Sequence, residues 1–312
     1  MSTTQVSPTV PGPVPTGYAV TQLTAGERTA RWLREIGWRH IVGLLMIPIV
    51  LLPILFALSM SLKGPTASLN GVGDQSMFSA FDLSTYELLF TETVFPRWAM
   101  NSLVICGVTA IGTVLMGSAA AYAFSRFRFA GRRGGLTALL IVQMFPQMLA
   151  FVAIFLLVRS LGEVYPFLGE NNHIGLISIY LGGALGSNAF LMYGFFNTVP
   201  RELDEAAKID GASHAQIFWT IILRLVLPIL TVVGLLSFVG TYGDFIIAKV
   251  LMTQEHNYTI AVGLYQWATR PLVTPWAQFA AGAVVAAVPV IILFMFLQKY
   301  IVSGLTAGSV KG

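Results

Sequence analysis

Apolar residues along this chain are gathered into long runs, and the length of these runs is the main structural signal in the sequence. A helix that crosses a bilayer needs roughly 20 predominantly apolar residues. Runs of that length lie at about 41–62, 101–124, 135–158, 174–197, 217–243 and 277–298. The pattern therefore predicts an all-α integral membrane protein with six transmembrane helices.

The residues before the first run differ in character from the rest. The first 22 residues are rich in proline and are typical of a disordered tail. Thr24 and Glu27 then have the spacing of a capping box, which opens a short helix with arginine and tryptophan side chains. Such an amphipathic helix is expected to lie on the membrane surface.

Composition narrows the class of protein. Of the 312 residues, 55% are apolar and 10% are charged, whereas soluble domains are about 25% charged. The net charge of +4 would suit nucleic acid, but the basic residues lie between the apolar runs, which favours a membrane and no nucleic-acid partner. A single cysteine, Cys106, excludes an internal disulfide and a multi-cysteine metal site.

The distribution of lysine and arginine predicts the orientation, because cytoplasmic loops carry an excess of these residues. The side that holds the N-terminus is the richer one, with clusters at 28–39, 126–133 and 201–208. The opposite side holds Lys63, Arg97, Arg159, Lys249 and Arg270. Both termini are therefore expected in the cytoplasm. The expected regions are a disordered tail with a cytoplasmic surface helix at 1–40, a six-span transmembrane domain at 41–300 and a cytoplasmic C-terminal tail at 301–312.

Familiar catalytic motifs are absent from the sequence. It has no Gly-Lys pair of a phosphate-binding loop, no H-E-x-x-H metal motif and no G-x-S-x-G nucleophile motif. We therefore expect no catalytic residue, no metal site and no cofactor bound by this chain. Charged residues are scarce within the apolar runs, which argues against an ion-coupled carrier, since carriers of that kind keep ionisable side chains at mid-membrane depth.

The strongest local pattern lies between the fourth and fifth runs, at residues 200–216. Pro200 suits the first position of a short helix, and Gly211 suits the left-handed residue that follows its last turn. Ser213 and Gln216 have the spacing of a capping box for the next helix. The segment is therefore predicted to form a helix–glycine–helix elbow.

The short helix of this elbow is predicted to be exposed. Arg201 with Glu205, and Asp204 with Lys208, have the i,i+4 spacing of supporting ion pairs. One face of the helix carries Leu203, Ala206, Ala207 and Asp210. Its small side chains would let another backbone approach closely, but by geometry alone an ordinary solvated loop helix explains the pattern equally well.

The elbow resembles a motif of a known family. The chain resembles the EAA loop of ABC importer permeases at Glu205, Ala206, Ala207, Gly211, Ile221 and Leu223. Arg224 stands where that family usually has proline, and Pro228 follows four residues later. The resemblance therefore leaves the local bend at the start of the fifth span open.

Two further segments resemble carbohydrate permeases. Residues 257–263, before an aromatic-rich loop, look like the last external loop of that group, and residues 304–312 look like the tail of MalG-like subunits of maltose/maltodextrin importers. Together the resemblance covers most of residues 85–312. It implies the type I ABC importer permease fold, with a cytoplasmic coupling helix between the fourth and fifth spans, in a bacterial inner or plasma membrane.

The resemblance implies a passive translocation subunit that moves maltose or maltooligosaccharides by alternating access. Its implied partners are a second, MalF-like permease subunit, a dimer of ATP-binding subunits that holds ATP and Mg²⁺, an extracytoplasmic sugar-binding protein and membrane lipid. Trehalose, another oligosaccharide and glycerol phosphate are alternative substrates. An autonomous secondary sugar carrier would show mid-span charges or a repeated half, and a membrane enzyme would show a catalytic constellation, but the sequence shows none of these.

The resemblance also implies three sets of contact residues. The set that couples to the ATPase is Glu202, Glu205, Ala206, Ala207, Asp210 and Gly211. The set in the ATPase-contacting tail is Thr306, Ala307, Gly308 and Lys311, where a frayed C-terminus is the alternative explanation. The set that docks the binding protein, within residues 255–275, is Tyr258, Tyr265, Gln266 and Trp267, where an aromatic belt at the membrane surface is the alternative.

Overall fold

The computed structural model describes residues 26, 32–65, 81–144, 147–269 and 275–307, and the predicted N-terminal tail and its Thr24–Glu27 capping box lie outside them. The longer elements within the described residues are helices, as expected for an all-α chain. In chain order they are α1 (Trp38–Ser61), α2 (Ser84–Thr91), α3 (Phe95–Arg126), α4 (Arg132–Met144), α5 (Gln147–Val164), α6 (His173–Phe196), α7 (Glu202–Ile209), α8 (His214–Leu225), α9 (Leu227–Tyr242), α10 (Ile246–Leu251), α11 (Ile260–Ala268) and α12 (Trp276–Ala307).

The chain divides into two compact units, residues 1–54 and 55–312. In the first unit, the described part of α1 has apolar side chains that are largely exposed, among them Leu44, Leu45 and Ile49. A helix that is apolar all round and is not buried in protein is typical of a membrane span. The second unit contains α2 to α12 and the residues discussed below.

Three described helices are unbroken and are long and apolar enough to cross a membrane, namely Arg34–Ser61, Phe95–Arg126 and Trp276–Tyr300. Three further helix pairs meet the same criterion only together, with a bend inside each: Arg132–Met144 with Leu149–Val164, His173–Gly183 with Asn188–Phe196, and His214–Leu225 with Leu227–Tyr242. Each predicted run falls on one of these helices or pairs. The described residues therefore hold up to six spans, and the number six stays a prediction because a bent pair is either one broken span or a re-entrant segment.

The bend between α8 and α9 has a covalent cause. Pro228 lies in the first turn of α9, and a proline nitrogen cannot donate to the carbonyl four residues earlier, which here belongs to Arg224. The two helices are bent by 80°, just after the π-helical turn Ile217–Ile222. The bend that the resemblance left open is thus present, and Pro228 accounts for it although residue 224 is arginine.

Helix α3 is the central element of the second unit. It packs against α6, α9 and α11, and it contributes to separate buried clusters along its length, from Phe95 and Trp98 near its start to Ala121 and Tyr122 near its end. Its 32 residues extend over about 48 Å at the usual rise per residue. One continuous helix therefore runs from the external-loop candidate, residues 255–269, to the elbow.

Candidate functional site

The elbow follows directly after α6, and its short helix is α7. The first backbone hydrogen bond of α7 is donated by Glu205 to the carbonyl of Arg201, at 3.1 Å. The helix therefore begins at Glu202, and the prediction that Pro200 occupies the first helical position is wrong by two residues. Pro200 instead precedes the capping residue Arg201.

The end of α7 forms as the sequence predicts. Gly211 has φ +82°, the left-handed conformation that glycine adopts without a Cβ penalty. Its N–H donates to the carbonyl of Lys208 at 3.0 Å, and the N–H of Ala212 donates to the carbonyl of Ala207 at 2.9 Å. This pair of bonds is a Schellman motif, so the predicted reversal at Gly211 is confirmed.

The predicted capping box of α8 is also confirmed. The N–H of Gln216 donates to the hydroxyl oxygen of Ser213 at 3.3 Å, and the N–H of Ser213 donates to the side-chain oxygen of Gln216 at 2.7 Å. Two of the N–H groups that a helix start leaves unpaired are satisfied in this way. The direction in which the chain leaves the elbow is therefore fixed by local bonds.

The two faces of α7 differ from the prediction. Asp204 and Ala207 are buried, at 6% and 8% exposure, whereas Leu203 is 40% exposed. Glu202, Glu205, Ala206, Asp210 and Gly211 are exposed. Of the six predicted coupling residues, Ala207 alone faces the protein core, where it packs in the same cluster as Phe196 and Ile217. The predicted small-residue face is thus divided between the core and the surface.

Asp204 is buried because it forms an ion pair with Arg126, the last residue of α3. The Arg126 Nε and Asp204 Oδ2 atoms lie 3.0 Å apart, and the two side chains are 6% and 8% exposed. Neither atom makes an aligned hydrogen bond with any described residue, so the charge of each is balanced chiefly by the other. The predicted pairing of Asp204 with Lys208 is wrong, since Asp204 turns inward to α3.

Further bonds surround this ion pair. Arg126 donates from Nη2 to the carbonyl of Val199 at 3.0 Å, and Arg201 donates to the carbonyl of Ser125 at 3.0 Å rather than pairing with Glu205. The hydroxyl of Ser125 donates to the side-chain oxygen of Asn197 at 2.9 Å. We call the group of Ser125, Arg126, Asn197, Arg201 and Asp204 the junction, because it fastens the end of α3 to the elbow.

A second polar network lies at the other end of α6. Asn171, which has φ +57°, accepts through its side-chain oxygen from the N–H groups of Thr253 and Gln254, both at 2.8 Å. Its side-chain nitrogen donates to the hydroxyl of Thr253 at 2.8 Å. The backbone of Asn171 also donates to Leu251 and accepts from the Asn257 side chain. One residue thereby holds both ends of the segment 251–257.

The start of α3 holds the next part of that loop. Trp98 donates from its ring nitrogen to the carbonyl of Glu255 at 2.8 Å. Asn101 donates to the carbonyls of His256 and Tyr258 at 2.9 and 3.0 Å. Ser102 accepts from the N–H of Ile260 at 2.8 Å. Residues 255–260 therefore lie against α3. The polar side chains of Asn101 and Ser102, at the start of the second apolar run, bind this loop.

The aromatic residues of the external-loop candidate occupy different environments. Tyr265 is 44% exposed, while Tyr258 and Gln266 are partly buried. Trp267 is 4% exposed. Its ring stacks on that of Phe95 and is tilted against that of Trp98, with the Trp98 and Trp267 ring centres 4.9 Å apart. Of the four predicted docking residues, Trp267 supports the loop from beneath and does not present a surface.

Part of the predicted C-terminal tail belongs to the last helix. Helix α12 continues to Ala307, so Thr306 and Ala307 belong to the helical backbone, whereas Gly308 and Lys311 lie outside the described residues. The backbone of residues 301–307 continues α12 as helix, and the cytoplasmic tail at 301–312 stays a prediction.

Sequence reasoning missed the junction and Asn171. In the sequence, Arg126 is one of several basic residues expected at a membrane surface. No local spacing relates it to Asp204 or relates Asn171 to Thr253, since these contacts join distant parts of the chain. The Asn171-Asn172 pair before an apolar run is a signal for a helix start, and Asn172 does cap α6.

Two known transport proteins are similar to this chain over most of its length. The chain is 40% identical over 289 residues to the maltodextrin transport system permease protein MdxG of Bacillus subtilis, covering 91% of this chain and 99% of that protein. It is 38% identical over 282 residues to the maltose/maltodextrin transport system permease protein MalG of Escherichia coli, covering 88% and 95% of the two chains. Both relatives are similar to this chain over nearly their whole length.

A solved structure is similar as well. One chain of a bacterial ABC transporter involved in the import of the acidic polysaccharide alginate matches with a TM-score of 0.74 and 25% identity, covering 87% of this chain and 98% of that one. Residues 113–307 match the family described as the binding-protein-dependent transport system inner membrane component. This stretch includes the junction, the elbow and the external-loop candidate. The chain therefore belongs to the binding-protein-dependent family of inner membrane transport components and has the ABC permease fold.

Proposed function

We propose that this chain is the translocation subunit of an ATP-driven importer that takes up maltose and maltooligosaccharides by alternating access. The substrate follows from the relatives, which are named as maltose or maltodextrin permeases at 38–42% identity. Those names favour maltodextrins over trehalose, another oligosaccharide or glycerol phosphate. The subunit itself is passive, and ATP with Mg²⁺ is bound and hydrolysed by a partner.

The observation that carries the proposal is the exposed side of α7, which we take as the coupling helix. Glu202, Glu205, Ala206 and Ile209 share one face at i, i+3, i+4 and i+7, and Ile209 is 87% exposed. We call these four residues the docking face. An exposed apolar side chain between carboxylates suits a cleft with an apolar floor and basic rim on an ATP-binding subunit.

The remaining partners are assigned by the same reasoning. A second, MalF-like permease subunit would cover exposed apolar helix surface of this chain, and residues 306–311 would reach the pair of ATP-binding subunits. Tyr258, Tyr265 and Gln266 are the candidates for contact with an extracytoplasmic sugar-binding protein, whereas Trp267 is buried against Phe95 and Trp98. The elbow and both termini lie in the cytoplasm under this proposal, and six spans cross the membrane.

The test is reconstitution of the complete complex in proteoliposomes. Uptake of labelled maltose and maltotriose is measured with ATP and Mg²⁺ on the coupling-helix side and with the binding protein on the other. The expected result is uptake that requires ATP and is inhibited by maltodextrins more strongly than by trehalose or glycerol phosphate. Sugar movement by this chain alone, without ATP, would instead establish a secondary carrier.

The orientation has its own test. In a Cys106→Ser background, a cysteine is introduced at Ser213, and intact cells are treated with a membrane-impermeant thiol reagent. We expect labelling only after the membrane is opened, because the elbow faces the cytoplasm. Labelling of intact cells would invert the topology and would remove α7 from reach of a cytoplasmic ATPase.

A further inference from the structure

The junction joins two elements that the proposed function requires to move together. Helix α7 would receive the motion of the ATP-binding subunits, and α3 begins beside the loop that would face the binding protein. The Arg126–Asp204 pair lies between them, with Nε and Oδ2 at 3.0 Å and both side chains nearly inaccessible. Three hydrogen bonds, made by Arg126, Arg201 and Ser125, join the end of α3 to residues 197–201, which directly precede α7.

The helices that meet at the elbow differ in stiffness. Helix α6 is bent by 49° within its length, and α8 is bent by 80° against α9. Helix α3 is one unbroken helix from Phe95 to Arg126, and it has no proline beyond its first turn. Kinks at prolines and breaks absorb displacement, so α3 is the stiff element that leaves the elbow.

The far end of α3 is bonded to the external-loop candidate. Trp98, Asn101 and Ser102 make four hydrogen bonds to residues 255–260. Gly263 lies so close to the Trp98 ring that an added Cβ would clash with it. A displacement of α3 along or about its axis would therefore displace this loop as well.

We propose that the Arg126–Asp204 pair positions α7 on α3 and transmits nucleotide-driven motion of α7, through α3, to residues 255–260. This inference rests on the proposed function, since it assumes that α7 docks on an ATP-binding subunit. Arg126 and Asp204 are positioning residues, which act through α3 and contact neither nucleotide nor sugar. An ion pair of this kind fixes one rotational setting of α7, because no other described partner balances the Asp204 Oδ2 charge.

The test uses the complete complex in lipid nanodiscs and two readouts. The first is sugar transported per ATP hydrolysed, measured after return to proteoliposomes. The second is hydrogen exchange of residues 253–260 with and without a non-hydrolysable ATP analogue plus Mg²⁺. In the wild type, we expect the hydrogen-exchange rate of this loop to change when the analogue binds. In Asp204→Asn, we expect that response to be lost and the sugar transported per ATP hydrolysed to fall about tenfold or more.

A matched pair of variants separates transmission from folding. Arg126→Met with Asp204→Leu removes both charges and keeps an apolar contact, so it is expected to assemble even if Asp204→Asn does not. We expect this double variant to hydrolyse ATP but to show no loop response. Glu163→Gln, which neutralises an exposed carboxylate on α5, is the control and should match the wild type in both readouts.

The outcomes are distinct. If the double variant retains the loop response and the wild-type transport ratio, the pair contributes packing only and the proposal is overturned. If the wild type transports sugar but its loop does not respond to the nucleotide, transmission through α3 is wrong while the proposed function stands. If the wild-type complex shows no ATP-dependent uptake, the proposed function fails first.

Discussion

Replacement of Asn171 tests whether one residue holds the segment 251–257. The side chain of Asn171 makes three hydrogen bonds to Thr253 and Gln254, and each contributes about 0.5–1.5 kcal/mol net. Because Thr253 and Gln254 are exposed to competing water, about 2 kcal/mol is a reasonable total for the three. Alanine also disfavours the left-handed conformation, at φ +57° here, by about 1 kcal/mol.

The two contributions are separated by the choice of substituent. Asn171→Ala loses about 3 kcal/mol, so the Thr253 and Gln254 amides should exchange about 100-fold faster with solvent. Asn171→Gly keeps the backbone conformation and loses only the three hydrogen bonds, so the exchange of the same amides should be about 30-fold faster than in the wild type. Asn171→Asp keeps both accepted hydrogen bonds and loses the donated one, so the exchange rate of these amides should rise by no more than about fivefold.

Hydrogen exchange of the intact complex, read at residues 251–258, is the assay. Asn172→Ala is the matched control, since Asn172 accepts from the N–H of Ile174 at 3.0 Å to cap α6 and has no bond to the loop among the described contacts. It should leave the Thr253 and Gln254 amides unchanged. If the Thr253 and Gln254 amides of Asn171→Ala exchange less than about threefold faster than those of the wild type, Asn171 does not hold this segment. If Asn172→Ala accelerates their exchange equally, the cause is general loosening of the start of α6.

Three further substitutions have definite expected results. Gly263→Ala should lower the melting temperature of the purified complex, because its Cβ would clash with the Trp98 ring and overpacking costs about 1–3 kcal/mol. Gly240→Ala, whose Cβ meets nothing within 4 Å, should leave the melting temperature unchanged. Equal melting temperatures of the two variants would contradict this prediction. Ser213→Ala should cost about 1 kcal/mol in thermal unfolding through loss of the α8 cap, and Ser213→Thr much less. Ile209→Asp should weaken binding of the ATP-binding subunit about tenfold or more in titrations with unchanged melting; unchanged affinity would remove Ile209 from the docking face.

The backbone of the elbow could be predicted because its determinants are local. A left-handed glycine at 211 and a capping box at 213–216 are set by residues within one helical turn, and both predictions are confirmed. The sequence predicts the start of α7 two residues too early, because proline is tolerated both within the first turn and just before it. The positions of the apolar runs were also predictable, since each falls on a long helix or a bent pair.

The orientation of side chains could not be predicted, because it depends on contacts between distant segments. Asp204 is 78 positions from Arg126 in the sequence, and no periodicity within residues 200–216 indicates that a carboxylate turns inward. Trp267 likewise belongs to an aromatic-rich loop, but its partners Phe95 and Trp98 lie at the start of α3. An aromatic side chain suits a buried cluster and an exposed surface equally well, so composition alone does not decide between them.

The burial of Asp204 determines what α7 can offer to another protein. Had Asp204 paired with Lys208 in solvent, Leu203, Ala206, Ala207 and Asp210 would have faced a partner together. With Asp204 and Ala207 turned to the core, Ala207 is lost from that face, and Glu202, Glu205 and Ile209 point outward together with Leu203, Ala206 and Asp210. A buried ion pair contributes little net stability compared with an apolar pair of the same shape. The main effect of the Arg126–Asp204 pair is therefore on the orientation of α7, because the pair determines which face of this helix is free to bind.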